Sequence, residues 1–253
     1  MTHKPIHNLV AAVAVGLFVG CADQPPAPQP DAADEAVFAA MAAANYESVR
    51  EAFADLKGRT YSVAVETREM NEAGTIVAQS VEQFDAGNRG VRSETDAGTA
   101  DQPFSRGFLS FLVKPDSADA LSHAPLVPKR PAFADLRTRE QYSYSSRRDT
   151  TVSGTATSLF EARAVVPSHR QPIRFARIGI SKTDSTLLYI RMERHDDTVF
   201  YEEESFAELT LAHDSAGAII PAMKYVEVTV DVPFEPARTF IVIESYSYDG
   251  ATL

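Results

Sequence analysis

The sequence predicts a mainly β (α+β) fold, with one amphipathic N-terminal helix packed on an antiparallel sheet of about ten to eleven strands. Three observations carry this. Only Asp31–Leu56 has sustained helical periodicity. From Thr60 onward, apolar and polar residues repeatedly alternate with period two. Short turn clusters such as Asn71-Glu72-Ala73-Gly74 and Lys182-Thr183-Asp184 separate those runs and leave no room for crossover helices.

In the helix, Asp31, Asp34 and Glu35 place carboxylates at the cap and first turn. Phe38, Met41, Val49, Phe53 and Leu56 form the stripe, broken by Asn45, and Gly58 is the stop. Strands are expected at Thr60–Glu66, Ile76–Phe84 and Val91–Glu94. The first two are joined by the Asn71–Gly74 turn, and Ala86-Gly87-Asn88 turns into the third. Residues 97–141 form an irregular insertion containing the densest aromatic patch, Phe104, Phe108, Leu109, Phe111 and Leu112, with short helical pieces at Phe108–Val113 or Ala132–Gln141. Strands resume at Tyr142–Tyr144, Thr157–Val166, Phe175–Ile180, Leu187–Arg194, Thr198–Glu203, Phe206–Ala212, Ala222–Val232 and Thr239–Tyr248. Residues 33–253 therefore read as one domain.

Composition narrows the function. The chain has 253 residues, 44% of them hydrophobic, with 24 Lys plus Arg against 35 Asp plus Glu. The acidic balance argues against a nucleic-acid groove. The single Cys excludes an internal disulfide framework and any multi-Cys zinc or iron–sulfur centre.

That Cys sits where it is most informative. Residues 1–20 have the layout of a signal peptide: Lys4 flanked by His3 and His7, then an unbroken apolar run from Leu9 to Gly20. The run is too short to span a bilayer, which takes about 20 residues. It ends Phe18-Val19-Gly20-Cys21, which resembles the bacterial lipobox, with Gly20 fitting the position before the Cys and Phe18 replacing the usual Leu. The resemblance implies removal of residues 1–20 and a diacylglyceryl lipid on Cys21, with no other cofactor expected. Pro25, Pro26, Pro28 and Pro30 then make residues 21–32 an extended tether. Removing the leader takes away Lys4 alone among charged residues, so the mature charge is 23 − 35 = −12. Such a body gains nothing from anionic lipid, leaving the acyl chains as the membrane anchor. Ala22 follows the Cys, where Asp is the enterobacterial inner-membrane retention signal; this favours the outer membrane.

The layout as a whole, a secreted lipoprotein with a leading amphipathic helix, a long meander and an irregular middle, resembles the LolA/LolB-like superfamily of lipoprotein carriers and receptors. Arg92 and Glu94 match a local pattern of that family's third strand, with Ser93 in place of an aromatic residue, and Gly154 matches a turn glycine. The resemblance implies a strongly curved, incomplete β-barrel wrapping the helix around an apolar cavity. Val63, Val65, Val81 and Phe84 would line that cavity, and Phe104–Leu112 would act as plug or lid. The function implied is binding of a hydrophobic ligand, an acyl chain or lipoprotein lipid, in the cell envelope. The alternative is a structural or assembly lipoprotein acting through an envelope protein partner.

Catalytic and metal chemistry finds little support. None of His123, His169, His195 and His213 has helical i, i+4 metal-ligand spacing with another. His195-Asp196-Asp197 and His213-Asp214-Ser215 read as hairpin turns, and Glu202-Glu203-Glu204 as a solvated strand rim. There is no Gly-x-Ser-x-Gly elbow, phosphate loop or His-Glu-x-x-His. Tyr142 with Tyr144, and Tyr246 with Tyr248, each stand on one face of a strand and read as barrel wall.

Overall fold

A computed structural model describes residue 49 and residues 56–86, 133, 135, 137–168, 172–197 and 202–248. Nine strands occupy most of them: β1 (Tyr61–Met70), β2 (Ile76–Ala86), β3 (Tyr142–Val152), β4 (Thr155–Ala164), β5 (Ile173–Ser181), β6 (Leu187–Asp197), β7 (Glu202–His213), β8 (Ile219–Asp231) and β9 (Arg238–Tyr248). They form one sheet in the order β2-β1-β9-β8-β7-β6-β5-β4-β3, and every pairing is antiparallel. The first hairpin thus joins the last strand, and only the β2–β3 connection crosses from one edge of the sheet to the other. Among the described residues, the edge strands β2 and β3 do not pair, so the sheet is not closed. It is nevertheless strongly curled, because β3 approaches β7, four places away.

Two turns show how local sequence sets this topology. Asn71 Oδ1 accepts from the backbone N–H of Ala73 and Thr75 at 3.1 and 3.0 Å, and Gly74 supplies φ 74°. Asp214 repeats the device, accepting from Ala216 and Ala218 at 2.9 and 2.8 Å, with Gly217 at φ 80°. His213-Asp214-Ser215 is therefore a strand end running into a turn, as the sequence suggests.

His195-Asp196-Asp197 is not a turn. These residues complete β6 and pair with Glu204, Glu203 and Glu202. Likewise, Thr198–Glu203 and Phe206–Ala212 are not two strands; residues 202–213 are one, β7. Ladder pairing across Ser205 overrides the polar break that divides them in the sequence. Of the expected elements, strand Val91–Glu94 lies outside the described residues. The helix also does, except for Val49, which is helical, and Leu56, which opens a 3-10 turn, Leu56–Gly58. Both are buried, as their place in the apolar stripe predicts. The leader, Cys21 and the tether lie outside too. Of the 97–141 insertion, Phe133 is described and fully buried, and a 3-10 turn spans Arg139–Gln141.

One face of the sheet carries the core. Ile178, Ile190 and Leu209 form one row across β5, β6 and β7, and Ala176, Met192 and Ala207 the next. Each fully buried Leu or Ile contributes about 1.5–3 kcal/mol. Phe133, Val49 and Leu56 pack against this inner face.

Candidate functional site

The Ile178–Ile190–Leu209 row does not stay apolar. In the register it continues to Lys224 on β8, Glu244 on β9 and Val65 on β1. Lys224 and Glu244 are 6% and 3% exposed and form an ion pair in the middle of the inner face. Two residues along β9, Tyr246 donates its hydroxyl to the second Glu244 oxygen at 2.7 Å. Tyr246 stands opposite Val63, which stands opposite Phe84. The ring of Tyr61 lies 6.1 Å from that of Tyr246 and 6.0 Å from that of Tyr248. Tyr248 donates to the carbonyl of Pro221 at 2.7 Å. Burial, and then the negative charge of Glu244, hold the Tyr246 hydroxyl far above its ordinary pKa, and the same two causes raise Tyr61. All three tyrosines are thus protonated donors at neutral pH.

The residues expected to line a cavity divide. Val63, Val65 and Phe84 are buried on the inner face around the Lys224–Glu244 pair. Val81 is not with them. It pairs with Glu66, out of phase with Phe84, and is 37% exposed on the outer face; the pleat sends odd and even positions of β2 to opposite sides. Phe104, Phe108, Leu109, Phe111 and Leu112 lie outside the described residues. Lys224, Glu244 and the pairing of Tyr246 with them escaped the sequence reading. A signal was available: Lys224 stands between Ala222 and Val226, and Glu244 between Val242 and Tyr246, so each interrupts an apolar face.

The outer face is dressed with ion pairs. Glu161 is buried beneath Arg177, which donates to it at 2.8 and 2.5 Å, and the guanidiniums of Arg163 and Arg177 lie 4.3 and 5.3 Å from the ring centre of Phe175. An open groove of about 460 Å³ includes Arg174, Arg191, Arg194, His195, Glu204 and Phe206. Its charges are mixed, with Arg191 bound to Glu193 at 2.7 Å. His195 lies between two exposed carboxylates, Glu202 at 3.7 Å and Glu204 at 3.5 Å, each facing a different ring nitrogen.

His213 sits beside a carboxylate and a hydroxyl. Its Nε2 lies 3.1 Å from Asp184 and 3.3 Å from the Thr186 hydroxyl. The hydroxyl of Ser181, then those of Thr186 and its backbone, hold Asp184 down at about 2. The carboxylate therefore stands between Ser181 and His213, whereas activation of a serine needs the histidine in the middle. Asp214, instead of orienting His213, caps its own turn and pairs with Arg59 at 2.5 Å.

Comparison with protein families and with curated proteins finds no match. Among solved structures, the chain is similar to a DUF1329 family protein from Desulfovibrio piger, with 10% identity and a TM-score of 0.27, over 83% of this chain and 94% of that one. It is similar to a putative outer membrane lipoprotein-sorting protein domain from Vibrio parahaemolyticus, with 10% identity and a TM-score of 0.28, over 84% and 95%. A LolA superfamily protein from Nitrosomonas europaea is similar at 8% identity and a TM-score of 0.26, over 82% and 94%. LolA superfamily and lipoprotein-sorting proteins are thus among its structural neighbours, the group that the layout of the sequence resembles.

Proposed function

We propose that this protein is a non-catalytic envelope lipoprotein, anchored through a lipid on Cys21 in the outer membrane facing the periplasm, that binds an apolar ligand on the inner face of its curled sheet. The observation that carries the ligand reading is the Lys224–Glu244–Tyr246 group set among Val63, Val65 and Phe84. A core that only has to be filled is as stable, or more so, with apolar side chains of the same volume. A charge pair kept there marks a surface that meets something besides the protein. The full chain carrying Cys21→Ser can be titrated without detergent with the uncharged dye N-phenylnaphthylamine. Saturable uptake is expected, weakened several-fold by Val65→Phe, which crowds the inner face, and unchanged by Val81→Phe on the outer face. Uptake that does not saturate, or that responds equally to both changes, defeats the reading.

One observation favours a role for a protein partner as well. Ile76, Val77, Val165, Val166, Val232 and Phe234 are all exposed. The register brings their three hairpin connections (β1–β2, β4–β5 and β8–β9) to the same end of the sheet. Phe234 is wholly exposed at a φ of 72°, a conformation bulky side chains rarely adopt. Apolar tips of this kind suit a partner's surface. A photo-crosslinking residue at position 234 should trap one discrete envelope protein; the same residue at exposed position 223, away from that end, should not. Equal patterns from the two positions refute the idea.

A further inference from the structure

The β8–β9 connection holds its most apolar side chain out in water. The backbone N–H of Glu235 donates to the Val232 carbonyl at 3.0 Å, closing a turn with Pro233 at its second position and Phe234 at its third. Proline fixes a negative φ, and Phe234 follows at φ 72°, so the turn is of type II. The third position of that turn favours glycine, because a bulky side chain there is strained. The ring of Phe234 is wholly exposed, so it gains no burial in exchange for the strain. Pairing of β9 with β1 brings the β1–β2 turn alongside, where Ile76 and Val77 are exposed as well. Exposed carboxylates flank these apolar tips. Asp231 and Glu235 border the β8–β9 turn, Glu72 lies in the neighbouring one, and the ladder sets Asp231, Glu202 and Asp197 side by side on three strands. Like charges directly opposite one another destabilise a sheet. Arg238 and Arg194 are already engaged, with Glu69 at 3.1 Å and Glu203 at 4.0 Å.

We propose that this end of the sheet docks a basic amphipathic segment of an envelope protein. Its apolar face closes over Phe234, Val232, Ile76 and Val77, and its lysines or arginines meet Asp231, Glu202 and Asp197. Charge complementarity selects this occupant. An anionic bilayer is repelled by the carboxylates that flank the tips. A second copy of the chain would set the same acids against one another. A basic segment relieves the like-charge pairing, and an aromatic anchor held in place by Pro233 loses little freedom on burial. The inference rests on the protein-partner reading and supplies the partner's chemistry.

The full chain carrying Cys21→Ser can be titrated, by fluorescence anisotropy, with a labelled amphipathic helical peptide of leucine and lysine. Saturable binding is expected. Two control peptides, one with glutamate for lysine and one with serine for leucine, should bind about tenfold more weakly. Phe234→Gly should weaken the leucine–lysine peptide about tenfold. Its unfolding midpoint should stay level or rise, because glycine suits the turn. Glu202→Lys/Asp231→Lys should weaken the peptide to a similar degree, and that effect should shrink in high salt. Equal binding of the serine-for-leucine peptide, full affinity in Phe234→Gly, or a lower midpoint in that variant overturns the proposal. Phe234-dependent sedimentation with vesicles of phosphatidylethanolamine and phosphatidylglycerol, without peptide binding, assigns the tips to a bilayer instead. If no peptide binds while position 234 still crosslinks one discrete envelope protein, the partner reading stands and the basic segment falls. If neither occurs, both fall.

Discussion

Lys224 and Glu244 show how differently a charge behaves according to where its strand puts it. Arg191 and Glu193 form a comparable pair, but on the outer face with water at hand, where such contacts are worth about 0–1 kcal/mol. Lys224 has no such alternative: removing its ammonium leaves the Glu244 carboxylate buried with, among the described residues, only the Tyr246 hydroxyl as donor. Lys224→Met alone should therefore destabilise the fold by about 3–5 kcal/mol, while Lys224→Met/Glu244→Gln recovers more than half of the loss. Urea unfolding of the three proteins checks this, and equal losses in both variants would mean that the pair is not coupled. The sequence holds the clue in its alternation. Alternation gives the side of the strand a residue faces, however, and not which residue faces it from the neighbouring strand. Lys224 and Glu244 are 20 positions apart in sequence and become partners only through the β8–β9 register.

At the scale of the element, β5 holds the middle of one half of the sheet between β4 and β6, and Gly179 is the residue that lets them close in. A Cβ at that position would stand 2.9 Å from Thr157 Cγ2, 2.9 Å from Tyr189 Cβ and 3.2 Å from Leu159 Cδ2. Its φ lies outside the left-handed region, so the restriction is one of space. Gly179→Ala should destabilise by about 1–3 kcal/mol, as overpacked interiors do, read as a lower denaturation midpoint with an unchanged slope. An unaltered midpoint would show that β4 and β6 can part without loss. Strand existence was widely legible because period-two alternation and turn chemistry act within a few residues; the Asn71 and Asp214 turns are examples. Strand ends were less so. Asp196 and Asp197 look like a turn by composition, yet they belong to β6 because Glu203 and Glu202 of β7 complete their ladder.

On the scale of the whole molecule, the acidic charge argues against a nucleic-acid groove and against electrostatic attachment to anionic lipid, so the proposed anchor is the lipid on Cys21. Cys21→Ser should move the protein from the membrane to the soluble fraction and abolish its labelling by a fatty-acid precursor; persistent labelling would refute acylation at this residue. The sequence by itself determined the class of fold, the antiparallel meander, the likeness in layout to LolA/LolB-like lipoproteins and the inward position of Val63, Val65 and Phe84. Each of these follows from periodicity, from turn residues or from the order of segments along the chain. Only the tertiary structure decided that β1 pairs with β9 and that β2 and β3 are the two edges of the sheet. It also decided that a lysine and a glutamate meet inside. Those outcomes depend on pairing between strands remote in sequence. The free energy of that pairing comes from burying whole faces at once, so it cannot be read from any one strand.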